Sequence, residues 1–162
     1  YPGATVTALS FDDLKNLEAP VVARFSLTVP RLAAREGAAL VVQPLGEPSR
    51  QVEALAPLSK RRLPLDLVPN RNEFTYVVAL PPGASAESPP APAKVETPFG
   101  SASMSVTPSA AKPGALDVTG HFELAVDRVA PEQYAAFRTF LGDVDQLFAL
   151  QLRLSAGTGG AP

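Results

Sequence analysis

The 162 residues contain one histidine, His121, and no cysteine, so acid–base or nucleophilic chemistry has few places to start. His121 lies in "ALDVTGHFELAVD". There Leu116, Val118, Phe122, Leu124 and Val126 alternate with Asp117, Thr119, His121, Glu123 and Asp127. Such alternation predicts a strand with the polar set on its outer face. An imidazole oriented by a carboxylate can act as a general base, and Glu123 is the nearest candidate partner. Yet neighbours two apart on one strand face stand side by side on a surface and imply no pocket. The expected role is a solvated polar face. An enzyme reading would need a nucleophile or a carboxylate delivered to His121 from another strand.

The other carboxylates point away from metal chemistry. Asp143 and Asp145 fall in a helical pattern, where residues two apart diverge and cannot readily share an ion. Asp12-Asp13 precedes "LKNLEAP" and reads as a turn or a short-helix cap. There is no calcium-loop pattern and no G-x-S-x-G around any serine. Without cysteine there are no disulfides, thiolate metal sites or cysteine nucleophile. The expectation is no catalytic, cofactor or metal site.

The remaining candidate is a turn, "KVETPFGSASMSV". Thr97-Pro98-Phe99-Gly100 places Pro at the second turn position and Gly at the fourth, as a type I turn allows. A left-handed Gly100 would make it a three-residue hairpin loop with a bulge. Phe99 occupies the tip. It is a candidate contact, an exposed anchor for a partner; the structural alternative, which the pattern favours, is a ring folded back to close one end of the core.

Composition bounds the setting of these residues. The net charge is -2 and the pI about 5.4, which gives no support for nucleic-acid binding. The one cationic run, Lys60-Arg61-Arg62, is too short to alter that. No apolar run approaches the roughly 20 residues of a membrane span. Proline is frequent, 18 of 162 residues, about twice ordinary usage. Together with 46% hydrophobic residues, this suggests a folded chain rich in turns and strand edges. The chain begins Tyr1-Pro2 with no leader pattern, and is expected to be a piece of a longer protein with any targeting signal upstream.

Alternation dominates the elements that must position these residues. Val21, Ala23, Phe25, Leu27 and Val29 share one strand face, as do Phe74, Tyr76, Val78 and Leu80. Leu63, Leu65 and Leu67 form a further face, with Pro64 marking an edge strand. Weaker strands are expected at Ala4–Phe11, Ala38–Gln43, near Lys94–Glu96 and at Ser101–Thr107. "PEQYAAFRTFLGDVDQLFALQL" instead has a helical period. Pro131 suits its first position, Gly142 could bend it, and Tyr134, Phe137, Leu141, Val144 and Phe148 form its apolar stripe. The predicted fold is mainly β: an antiparallel sandwich of about seven to nine strands with one C-terminal helix, about 131–153, packed against it. Residues 1–154 are expected to form one domain, and 155–162 a disordered tail. Pro81–Ala93 reads as a proline-stiffened loop within it, and Leu45–Ser59 as the other candidate joint.

In their order and spacing, "RRLPLDLVPNRNEFTYVVALPPG", "PAKVETPFGS" and "VAPEQYAAFRTFLGDVDQ" resemble the C-terminal β-sandwich module of bacterial transglutaminase-like proteins. "VTALSFDDLKNLEAPVVARFSLTVP" resembles the segment after the catalytic domain there. Pro98, Phe99 and Gly100 are the family-resembling turn. The resemblance implies a non-catalytic accessory module, because the papain-like Cys-His-Asp triad cannot lie in this chain. It implies an upstream transglutaminase-like domain as partner, further contacts to another protein or envelope component, and a periplasmic or cell-envelope setting. Neither nucleic-acid binding nor membrane insertion is expected. The alternative is a free-standing glycan- or peptide-binding β-sandwich module, with Phe99 and Tyr76 as its aromatic candidates.

Overall fold

The computed structural model describes residues 3–12, 15, 22–30, 33–43, 49–80, 83–87, 91 and 93–155. The chain divides into two compact units, Tyr1–Leu32 and Ala33–Pro162. In the first, β1 (Thr5–Asp12) pairs antiparallel with β2 (Val22–Thr28). Leu9 stands opposite Phe25, and Phe11 opposite Ala23, so the apolar residues share one face of the ribbon. Leu9, Phe11 and Phe25 are exposed.

The second unit is built around two four-stranded antiparallel sheets. One orders β3 (Ala33–Glu36), β4 (Ala39–Val42), a strand near the C-terminus and β7 (Ser85–Ala86). That late strand, β12 (Leu152–Ser155), lies between β4 and β7. The other sheet orders β6 (Asn70–Ala79), β10 (Ala115–Leu124), β9 (Gly100–Pro108) and β8 (Ala93–Thr97). A short pairing joins β5 (Leu65–Asp66) to β11 (Arg128–Val129). Among the described residues two helices complete the unit, α1 (Gln51–Leu55) and α2 (Tyr134–Phe148).

Strict alternation makes β9 and β10 one-sided. Ala102, Met104 and Val106 are buried, with Ser101, Ser103 and Ser105 between them. Leu116, Val118, Phe122 and Leu124 do the same on β10. Helix α2 buries Tyr134, Phe137, Phe140, Leu141, Val144 and Phe148, spaced three or four apart as one helical face requires. One apolar cluster joins this stripe to the inner face of the β6–β10–β9–β8 sheet and to Val42, Leu152 and Leu154 of the other sheet. Gly120 is the gap in the β10 face: the ring of Phe74, from the neighbouring β6 register position, fills it. A Cβ there would meet Phe74 Cζ at 2.0 Å.

The fold departs from the sequence expectation in particular places. The described residues form twelve strands in four antiparallel sheets, where alternation predicts one sandwich of about seven to nine strands. The additional pairings β5, β7 and β11 are two residues long, too short to leave a periodic signal. Leu63, Leu65 and Leu67 do not share a strand: only Leu65 and Asp66 pair, and Leu63 is exposed. Pro64 supplies no N–H for a ladder there. The helix is shorter than 131–153. Pro131 belongs to a turn in which Tyr134 N–H reaches the Pro131 carbonyl at 3.3 Å. At the other end Leu152–Ser155 leave the helical pattern because β4 and β7 offer a ladder on both sides. Of the expected tail, Ser155 ends β12; 156–162 lie outside the described residues, as do 45–48 of the Leu45–Ser59 stretch. Among the described residues no helix is long and apolar enough to cross a membrane.

Candidate functional site

The chemistry-bearing residues converge on the outer face of the β6–β10–β9–β8 sheet. Antiparallel register sets Glu73, His121, Ser103 and Lys94 in one row across all four strands. The row beside it holds Arg71, Glu123, Ser101 and Glu96, and the row on the other side Thr75, Thr119 and Ser105. His121 is half-buried in the middle. Its Nε2 lies 3.3 Å from Ser101 Oγ and 3.7 Å from a Glu123 oxygen, and its Nδ1 3.8 Å from Glu73. The Ser105 and Thr119 hydroxyls bond each other at 2.7 Å. Small side chains in these rows leave a shallow depression of about 450 Å³, lined by Glu73, Lys94, Ser103, Ser105, Thr119 and His121 among others.

The electrostatics are those of a surface ladder. Arg71, two residues along β6, donates to the Glu73 carboxylate, and its charge adds to that bond. Together they hold the Glu73 carboxyl below its ordinary value and raise Arg71. Lys94 acts likewise on Glu96. Glu73 is thus committed to Arg71 before it can orient the imidazole. Strands β9 and β10 are both interior, so their backbone N–H groups serve ladders on either side. The face can offer hydrogen bonds to a bound partner.

Asp117 and Thr119 share this face, and Asp127 lies beyond the end of β10 and is exposed. Asp143 and Asp145 separate as their spacing requires. Asp143 is exposed, while Asp145 turns to α1, accepting the N–H groups of Gln51 and Val52. Asp12 ends β1, and Asp13 lies outside the described residues. Among the described residues no group of three or more His, Cys, Asp or Glu could hold a metal ion.

The Thr97–Gly100 turn is a two-residue connection, not a three-residue loop with a bulge. Thr97 pairs directly with Gly100, leaving Pro98 and Phe99 between the strands. Gly100 has φ 153, and a Cβ there would stand 1.9 Å from the Glu123 carbonyl oxygen, so only glycine fits. Thr97 Oγ1 accepts the Phe99 N–H at 3.2 Å, and the Phe99 carbonyl accepts the Ala125 N–H at 2.9 Å. The ring is 9% exposed, edge-on to Phe137 at 5.4 Å and tilted against Phe140 at 6.4 Å. Tyr76 is 41% exposed on β6.

Sequence reasoning found His121 and its outward face but not Glu73, Ser101, Ser103 and Lys94 around it. Part of that row was within reach. A two-residue turn at Pro98-Phe99 sets the β8–β9 register, and Lys94 opposite Ser103 follows from it. The β9–β10 and β6–β10 registers pass through longer connections, and no local signal sets them.

Comparison with known proteins adds the wider context. Residues 39–154 match DUF3858, a domain of unknown function with a solved structure. The structure is similar to the crystal structure of a candidate protease from Parabacteroides distasonis, with a TM-score of 0.58 and 19% sequence identity. That match covers 74% of this chain and 24% of the other, so the chain corresponds to about a quarter of the longer protein. At this identity the likeness is one of fold. No curated protein matches the chain.

Proposed function

We infer, because this chain belongs to the DUF3858 family, a domain associated with bacterial transglutaminase-like proteins, that it serves as a non-catalytic accessory module of such a protein. In this reading it supports the catalytic domain or carries contacts to another protein or envelope component. The observation that carries the reading is the outer sheet face. It gathers the one histidine with serines and carboxylates, yet spends them on pairing with one another, within and across strands. The absence of cysteine means that a papain-like nucleophile is not supplied by this chain. The continuous core beneath that face suits a rigid platform, and we read 39–154 as sandwich-like, with α2 packed between strands of two sheets. The family resemblance favours a periplasmic or envelope setting.

The test is made on the parent protein, with and without this segment. Deletion is expected to lower either the folded yield of the catalytic domain or its turnover. Unchanged yield and unchanged turnover would overturn the supporting role.

A further inference from the structure

Between α1 and β6 the chain displays apolar and cationic side chains together. Leu58, Leu63 and Val68 are 54%, 73% and 79% exposed. Lys60, Arg61 and Arg62 are consecutive, and no Asp or Glu stands between Glu53 and Asp66. Single exposed apolar residues are ordinary. Leu58 and Leu63 flank the only cationic run of an acidic chain, and Val68 follows just beyond β5.

The loop is held in place. Pro57, Pro64 and Pro69 restrict its backbone. Tyr134, 2% exposed at the start of α2, donates its hydroxyl to the Leu58 carbonyl at 2.8 Å. The Arg61 guanidinium lies over the Tyr134 ring, 6.0 Å from its centroid, and its Nε donates to the Leu63 carbonyl at 3.4 Å. Beyond Pro64, Leu65 and Asp66 pair with β11, and Leu67 N–H donates to the Asp127 carbonyl at 2.8 Å. Arg61 thus works within the loop, while Lys60 and Arg62 point their charge outward, exposed.

We propose that this loop is a docking surface for a protein partner whose facing surface is acidic around an apolar hollow. Leu58 and Leu63 would enter the hollow, and Lys60 and Arg62 would meet the acidic rim. A pre-ordered loop loses little conformational entropy on binding, and apolar anchors with a charged rim are the ordinary anatomy of such contacts. A lipid surface fits less well. Two outward cations add little attraction to an anionic leaflet, and the loop offers no amphipathic helix to insert. The proposal deepens the accessory-module reading and rests on it for the existence of a partner.

The experiment selects a randomised peptide-display library on the 162-residue chain, then measures the enriched peptides against Lys60→Glu/Arg62→Glu and against Leu63→Ser. Peptides combining Asp or Glu with an apolar residue are expected, each losing about tenfold in affinity to either variant. All three substituted side chains are exposed, so both variants are expected to keep the parent's thermal unfolding. If Leu63→Ser unfolds early, the charge variant alone decides. No enrichment, or peptides that bind the variants as tightly as the parent, overturns the proposal. Loop-dependent co-sedimentation with phosphatidylglycerol–phosphatidylcholine vesicles, in place of acidic-peptide binding, also overturns it and assigns the loop to lipid. The measurement uses this chain's surface and not the parent's activity, so it can fail while the deletion test succeeds, and the reverse.

Discussion

Asp145 on α2 accepts the backbone N–H of Gln51, 94 residues earlier in the chain, at 2.7 Å, and its second oxygen takes Val52 N–H at 3.1 Å. The first turn of a helix has N–H groups with no partner inside the helix. Helix α1 is five residues long and has no side-chain cap of its own. A carboxylate from another helix supplies the missing acceptor and ties the two helices together. Asp145→Ala is expected to lower stability by about 1–2 kcal/mol. Asp143→Ala, removing an exposed carboxylate two residues earlier on the diverging side of α2, is expected to leave stability within about 0.5 kcal/mol. Urea unfolding of the pair measures the difference, and equal midpoints would contradict the capping role.

Phe99 closes the end of the core beside Phe137 and Phe140. Phe99→Ala is expected to cost about 3–5 kcal/mol, the range for emptying a buried phenylalanine site. Phe99→Leu should cost less because it leaves a smaller void. Thermal melts order the three proteins, and an alanine variant as stable as the parent would return Phe99 to the surface.

Two glycines should respond in opposite directions. At Gly142, inside α2, a new Cβ would meet only Val52 Cγ2 at 4.0 Å. Gly142→Ala is therefore expected to stabilise by about 0.5–1 kcal/mol. At Gly120 the same methyl collides with the Phe74 ring, and a loss of about 1–3 kcal/mol is expected. Adding Phe74→Leu should recover part of that loss, and a double-mutant cycle reads the coupling. Additive effects would mean that the ring does not cover the glycine.

The Arg71–Glu73 pair predicts a pH dependence. Glu73 is held below its ordinary value in the folded protein, first by the Arg71 hydrogen bond and then by its charge. A depressed carboxylate adds stability above its unfolded pKa and loses it as pH falls through the lower folded value. Glu73→Gln should therefore flatten the decline in stability below about pH 4.3 and change little of the slope at neutral pH. Both side chains are well exposed, so the effect is small and should shrink further in salt. Melts across the acid range, at low and high salt, measure it.

The sequence by itself determined which faces are buried wherever a period ran long enough. The Ser101–Ser103–Ser105 face of β9, the polar side of β10 and the Tyr134-to-Phe148 stripe of α2 all follow from spacing of two or of three to four. The turn at Pro98 was legible too, because proline and glycine restrict the backbone locally. Only the tertiary structure decided what depends on distant partners. Leu152–Ser155 became a strand because β4 and β7 flank it, although its leucines continue a helical pattern. Glu73 and Ser101 reached His121 through registers set by packing of the whole sheet. Phe99 turned inward because the Phe137 and Phe140 rings of α2 stand against it. Local periodicity encodes which side of an element is apolar, and the energy that selects its neighbour comes from surfaces buried together only once the chain has closed on itself.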